Sequence, residues 1–270
     1  MAEMNIQGLK LHVQRMGDSV PSGPTVVFLH GLITDNLSSW FFTMANPVSR
    51  QRRVLLYDMR GHGRSERPKS GYDLDSFVNE LRAVLDANGL REPVTLVGHS
   101  FGGLLALAFA HRFPHRVHSM ALIEGHAHVP GWGQEMAETL GLEGEAADRK
   151  LGESYKSWLG RQTDTKRRRL ARDAHGLIKE TTLIEDLRGT PPITEQDMRA
   201  IEVPVLALYG ERSDIRDRGE RLAALMPRAE LHLFPDCSHA IMWEATSAVR
   251  DRLLTWLARS PLPLAAAGGV

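Results

Sequence analysis

Ser100 is the residue of this chain best placed to act as a nucleophile. It lies in Gly98-His99-Ser100-Phe101-Gly102, after the apolar run Val94-Thr95-Leu96-Val97 and before the small and apolar run Gly103 to Ala110. That context reads as buried strand, tight turn, then helix. A serine on such a turn is pushed out of the backbone into an exposed, strained position. The flanking glycines keep the crossing strand and helix free of Cβ atoms. The next backbone N–H, that of Phe101, falls at the start of the helix, where the dipole favours an anion. One short segment thus offers a nucleophile and half of an oxyanion hole.

Four further segments can complete this chemistry. His30-Gly31 follows the apolar run Val26–Leu29, and a loop there can aim the N–H of Leu32 at a developing oxyanion. Asp58 to Ser65, with Gly61 and Gly63, follows Val54–Tyr57. It reads as a tight scaffold loop in which Asp58 and Arg60 bond backbone groups and His62 organises the turn. Asp214 follows the run Val203–Tyr209 through Gly210-Glu211-Arg212-Ser213, where a carboxylate can accept from an imidazole N–H and hold its tautomer. Glu211, Asp217 and Glu124 compete for that role, and Glu124 ends another strand beside the expected site. His239 follows Glu230–Phe234 on a short loop. With 12 histidines in the chain, its significance comes from the order Ser100, Asp214, His239.

The elements that must hold these residues form a regular series. Strand-like runs at Leu9–Gln14, Val26–Leu29, Val54–Tyr57, Val94–Val97, Met120–Ile123, Val203–Tyr209 and Glu230–Phe234 alternate with helix-like segments at Ser76–Ala87, Gly103–Phe113, Gly219–Leu225 and Thr246–Leu257. Apolar strands alternating with helices predict an α/β fold with a mostly parallel sheet covered on both faces. From Pro130 to Thr190 the strand pattern stops. This stretch is rich in charge and helix formers and includes Lys166-Arg167-Arg168-Arg169; it closes at Gly189-Thr190-Pro191-Pro192. It is expected to be a helical insertion, with residues 1–129 and 191–262 forming the core and 263–270 a flexible tail.

Composition narrows the function. Of 270 residues, 42% are hydrophobic and 24% charged, and the formal net charge is zero. This is ordinary for a globular domain and disfavours nucleic acid or a membrane surface as the main partner. Cys237 is the single cysteine, so no intramolecular disulfide forms, which fits a cytoplasmic setting. The first ten residues lack the apolar stretch of a signal peptide. No Cys/His cluster suggests zinc and no phosphate loop appears, so no cofactor is expected.

Taken together, His30-Gly31, Asp58 to Ser65, Gly98 to Gly103, Tyr209 to Asp214 and His239 resemble the α/β-hydrolase superfamily over essentially the whole chain. The resemblance implies Ser100 as nucleophile, His239 as base, Asp214 as acid, Leu32 and Phe101 as oxyanion-hole donors, and 130–190 as a cap over the pocket. Dehalogenases and epoxide hydrolases of this fold carry Asp where Ser100 stands, which disfavours both. The His-Gly-Gly-Gly of many carboxylesterases is here His30-Gly31-Leu32-Ile33. The expected reaction is hydrolysis of a carboxylic ester or thioester with a small, largely apolar acyl group. Its alternatives are C–C bond hydrolysis or perhydrolysis on the same triad, and a non-catalytic ligand-binding protein of the fold. Candidate substrate-binding residues are His30, Ile33, Trp40, Trp132, Trp158 and Trp243. The basic run Lys166 to Arg172 is a candidate dock for coenzyme A or an acidic acyl carrier.

Overall fold

A computed structural model describes residues 2–20, 23–126, 130–142, 144 and 164–259. Eight strands form one sheet in the order β1-β2-β4-β3-β5-β6-β7-β8. They are β1 (Ala2–Ile6), β2 (Leu9–Met16), β3 (Val26–Leu29), β4 (Val54–Tyr57), β5 (Val94–His99), β6 (Val117–Ile123), β7 (Val205–Gly210) and β8 (Ala229–Phe234). β1 and β2 pair antiparallel, β2 runs antiparallel to β4, and every other pairing is parallel. β3, β4 and β5 are buried along their whole length, as the continuous apolar runs require for strands covered on both faces.

The principal helices are α1 (Leu74–Ala87), α2 (Phe101–Arg112), α3 (Trp132–Leu140), α4 (Asp164–Lys179), α5 (Leu183–Arg188), α6 (Arg216–Leu225) and α7 (Thr246–Arg259). The sheet separates two apolar layers. One gathers Phe77, Leu81, Phe101, Leu105 and Phe109 of α1 and α2 against Val27, Leu29, Leu96 and Leu122. The other gathers Trp40, Met44, Leu253 and Trp256 against Phe28, Leu56, Val97 and Leu208. α2 is apolar all round because it crosses the sheet under other elements; each residue from Phe101 to Ala110 is buried.

The strand order places the reactive loops together. After β3 the chain goes to one side to form β4, then crosses back to form β5 on the other side. A crevice opens where the order reverses, at the carboxyl ends of the strands. His30 leaves β3 there and Ser100 leaves β5.

Among the described residues between 130 and 190, α3, α4 and α5 are joined by turns and bends and none lies in a strand. They dock on the core through specific contacts. Asp186 accepts from the Tyr72 N–H (2.8 Å), and the Thr182 N–H donates to the Lys69 carbonyl (2.9 Å). α3 lies close against α5: a Cβ on Gly133 would stand 2.0 Å from the Leu187 oxygen. Leu177 of α4 is buried with Tyr72 in the core layer of α1. The expected tail, residues 263–270, lies outside the described residues.

Candidate active site

Ser100 occupies φ 51°, ψ −115°, a left-handed conformation that a side-chain-bearing residue rarely adopts. Its neighbours hold it there. The Ser100 N–H donates to the Ile123 carbonyl (3.0 Å), and the Ser100 carbonyl accepts from the N–H of Gly103 (3.0 Å) and of His126 (3.3 Å). The turn closes only because glycines flank it. A Cβ on Gly98 would meet the Gly102 oxygen at 2.3 Å, and one on Gly102 would meet the Leu29 oxygen at 2.2 Å. Phe101 is the first residue of α2, where an N–H has no acceptor within the helix.

His239 lies on the loop after β8, buried beside the serine. Its Nε2 is 3.3 Å from Ser100 Oγ, and its Nδ1 is 3.0 Å from Glu124 Oε2. With a carboxylate at Nδ1, the imidazole proton sits on Nδ1, and Nε2 is left to accept from the serine hydroxyl. Asp214, which chain order puts in the acid's place, stands differently. Its Oδ1 is 4.0 Å from Nδ1, beyond hydrogen-bond reach, and its side chain is 55% exposed.

The loop after β3 is fixed by a set of buried polar residues. Asp35 accepts from the N–H of Gly31 (2.8 Å) and of Asn36 (3.0 Å), accepts the Ser39 hydroxyl, and lies 3.4 Å from His99 Nδ1. Burial works to raise the Asp35 carboxyl, but His99, with His30 and the Ser39 hydroxyl behind it, outweighs burial and holds it at about 2. Ile33, at φ 71°, donates its N–H to His62 Nε2 (2.9 Å), while His62 Nδ1 donates to the Arg60 carbonyl (2.8 Å). Burial, with the neighbouring His30 second, pushes His62 down to about 3 and keeps it neutral. Asp58 accepts from the N–H of Leu37 and Arg64 and from His12 Nδ1. Leu32, Gly31, Thr34, Asp35, His99, Ser100 and Trp243 line one cleft.

The structure sorts the candidate substrate-binding residues. Trp243 reaches the site, edge-on to His99 with ring centres 5.3 Å apart, and Trp132 stacks on Phe101 at 6.5 Å. His30 does not face a ligand. It is fully buried, Nδ1 donates to the Gly31 carbonyl (2.7 Å), and Nε2 accepts from the Met59 N–H (3.0 Å), so both nitrogens serve the loop backbone. Trp40 is fully buried against Phe28 as core. Ile33 is partly buried against the first core layer. Trp158 lies outside the described residues, as do the side chains of Lys166 and Arg167. Arg168 is exposed, and Arg169 and Arg172 flank Asp173 at 3.7 and 3.9 Å.

Sequence reasoning passed over two histidines. His99 and His126 lie beside the His239 ring, with centres 5.9 and 5.7 Å from it. Burial, with the charge of His239 second, drives His126 well below its ordinary range. Nothing in a sequence position after a strand marks a histidine as the neighbour of another histidine more than a hundred residues away. Among the described residues no group of His, Cys, Asp and Glu is arranged to hold a metal ion, and no helix is long and apolar enough to cross a membrane.

Comparison with known proteins agrees with this architecture. A family model described as alpha/beta hydrolase fold matches residues 24–179. The 2-hydroxy-6-oxo-2,4-heptadienoate hydrolase of Pseudomonas putida is 44% identical over 107 residues, and the match spans only 38% of this chain and 38% of that protein. The 2-hydroxy-6-oxononadienedioate/2-hydroxy-6-oxononatrienedioate hydrolase of Paraburkholderia phymatum is 31% identical over 272 residues, 93% of this chain and 92% of that one. The crystal structure of the enol-lactonase from Burkholderia xenovorans LB400 has a TM-score of 0.77 at 23% identity, covering 96% of this chain and 100% of that chain, a likeness of fold. The family match extends over more than half of the chain, and the likeness to the Paraburkholderia phymatum hydrolase over 93% of it, so this chain belongs to the α/β-hydrolase family.

Proposed function

We propose that the chain is a serine hydrolase that cleaves a carboxylic ester of a small, largely apolar acyl group through an acyl-enzyme. The observation that carries this reading is the 3.3 Å approach of His239 Nε2 to Ser100 Oγ on a left-handed turn at the head of α2. His239 takes the hydroxyl proton as Ser100 Oγ attacks the acyl carbon. The oxyanion is held between the N–H groups of Leu32 and Phe101. His239 then protonates the leaving group, and water repeats the sequence to release the acid. General-base action of this kind contributes on the order of 10²–10⁴ in rate, and one oxyanion donor roughly 10²–10³. The apolar side chains of Leu32, Phe101, Trp132 and Trp243 suit an apolar acyl group. The helices of 130–190 form the cap that selects it.

Hydrolysis of a C–C bond on the same serine is the second reading, favoured by the two relatives whose names are those of 2-hydroxy-6-oxo acid hydrolases. A fluorophosphonate probe tests the shared part: it should label Ser100, and Ser100→Ala should abolish both labelling and turnover. Labelling at another residue, or turnover surviving in Ser100→Ala, refutes the assignment. A panel of p-nitrophenyl esters, acyl thioesters and 2-hydroxy-6-oxo dienoic acids separates the readings by kcat/KM. For the thioester branch, charge reversal at Arg168 and Arg169 should raise KM for a coenzyme A thioester and spare a neutral ester. The effect should fade with salt, because exposed charges are screened within about 10 Å at 0.1 M.

A further inference from the structure

We propose that Glu124, at the end of β6, is the carboxylate that positions His239, and that Asp214 is not. The inference rests on the Ser100–His239 reading above and names the third member of that site.

Three observations carry it. The first is reach: Glu124 Oε2 is 3.0 Å from His239 Nδ1, while Asp214 Oδ1 is 4.0 Å away. The second is environment. Glu124 is fully buried, whereas Asp214 is 55% exposed. A carboxylate–imidazole attraction is several-fold stronger away from water than at the surface. The third is rigidity. Glu124 Oε1 accepts from the Gly210 N–H (2.6 Å), and Oε2 also accepts the Ser213 hydroxyl (2.6 Å). Both of these neighbours are donors, so the carboxylate is tied to the end of β7 and the loop after it, and Oε2 keeps a second lone pair for the imidazole N–H. The backbone at Glu124 is itself left-handed, at φ 50°. Such a backbone conformation is strained for a residue that carries a Cβ and persists where the surroundings impose it. Here they do: Glu124 N–H donates to the Leu208 carbonyl (2.9 Å), and the Tyr209 hydroxyl donates to the next residue's carbonyl, Gly125 O (2.6 Å).

The groups around His239 define what a test must separate. Glu124 faces it from β6, Asp214 from the loop after β7, His99 from the elbow and His126 from the segment after Glu124. A positioning carboxylate does two things: it holds the Nδ1–H tautomer, and it stabilises the imidazolium formed as Ser100 attacks. Its loss therefore lowers kcat and also moves the acid limb of the pH profile downward. A carboxylate that only braces the fold lowers activity without moving that limb.

The experiment compares Glu124→Gln and Asp214→Asn in the full chain on an activated p-nitrophenyl ester. Glu124→Gln should lower kcat by about 10³–10⁴ with little change in KM, and its acid limb in kcat/KM should fall by at least about one pH unit. Asp214→Asn should lose no more than about tenfold and keep the wild-type limb. If Asp214→Asn is the crippled variant, or both fall equally, the assignment is overturned. Asp214 is half exposed, so its variant folds and decides the question even where Glu124→Gln does not fold. Fluorophosphonate labelling of the wild type at Ser100 is scored separately. Without it the nucleophile reading fails; with it and a crippled Asp214→Asn, only the Glu124 assignment fails.

Discussion

Replacing Gly103 by alanine should damage catalysis far more than it damages folding. An ideal Cβ on Gly103 stands 2.5 Å from Gly125 Cα, a backbone atom with no rotamer to change. Non-bonded carbons settle at about 3.5 Å, so α2 and the end of β6 must separate by about 1 Å. Both sides of that contact belong to the site. The Gly103 N–H donates to the Ser100 carbonyl, and Gly125 adjoins Glu124. A displacement of about 1 Å between reacting groups costs on the order of 10²-fold in rate. The stability loss is smaller. Overpacking costs about 1–3 kcal/mol, and the gain of helix propensity from Gly to Ala returns up to about 1 kcal/mol. The assay is kcat on an activated ester, normalised to the fraction of sites titrated by a fluorophosphonate, beside a urea unfolding curve. Gly189→Ala is the control: its φ is −79° and its nearest neighbours are at 3.8 Å, so it should stay within about twofold. A Gly103→Ala enzyme within threefold of wild-type kcat per titrated site would refute the argument that this contact sets the catalytic spacing.

Two further outcomes concern the scaffold. Arg60→Ala should destabilise the fold by about 3–5 kcal/mol in urea unfolding, because it strands the buried Glu80 carboxylate. That carboxylate is held by Arg60 Nε at 2.8 Å, and the same guanidinium binds the Gly71 carbonyl at 2.7 Å. A loss below about 1 kcal/mol would show that solvent reaches Glu80 when the arginine is gone. Stability should also fall as pH drops from 6.5 to 5, because His62 and His126 are held neutral when folded but take up protons when unfolded. A group with a lowered folded pKa contributes stability above its unfolded value and loses it as pH falls, at up to about 1.4 kcal/mol per pH unit for each. Unfolding curves at pH 7, 6 and 5 that do not differ would contradict this, and His126→Phe should flatten the dependence.

Much of the fold was legible because its strands are buried on both faces. β3 and β4 match their apolar runs residue for residue. What escaped notice was polar or exposed. β1 reads Ala-Glu-Met-Asn-Ile, and only Ile6 is buried, so the edge of the hairpin shows no apolar run. β6 begins at Val117, earlier than the run Met120–Ile123 suggests, because His118 and Ser119 interrupt it. The Ser119 hydroxyl is satisfied inside the sheet by Thr95 Oγ1 at 3.0 Å. Likewise His30 looked like a ligand-facing residue, since a sequence does not reveal that two backbone groups occupy both of its nitrogens.

Glu124, the proposed positioning carboxylate, shows where chain order stops being informative. Order tells which strand a carboxylate follows, but not how far its loop carries it from the crevice. Asp214 comes four residues after the end of β7, and the backbone between them turns back: the N–H of Glu211 donates to the Phe234 carbonyl and that of Arg212 to the Cys237 carbonyl. Those bonds tie the first half of the loop to β8 and to the loop after it, and Asp214 stays 55% exposed, 4.0 Å from the imidazole. Glu124 needs no loop. It follows Ile123 directly, its backbone kinks at φ 50°, and its longer side chain spans from β6 to the imidazole while binding the start of that same β7 loop through Gly210 and Ser213. The residue type carries the argument. An aspartate at position 124 would be one methylene shorter, too short to bridge both Gly210 and His239 from this backbone. Glu124→Asp should therefore keep the charge but lose the geometry, falling in kcat by tenfold or more with the acid limb of its pH profile still near that of the wild type. An Asp variant as active as wild type would mean that the reach of the glutamate side chain is not what selects it.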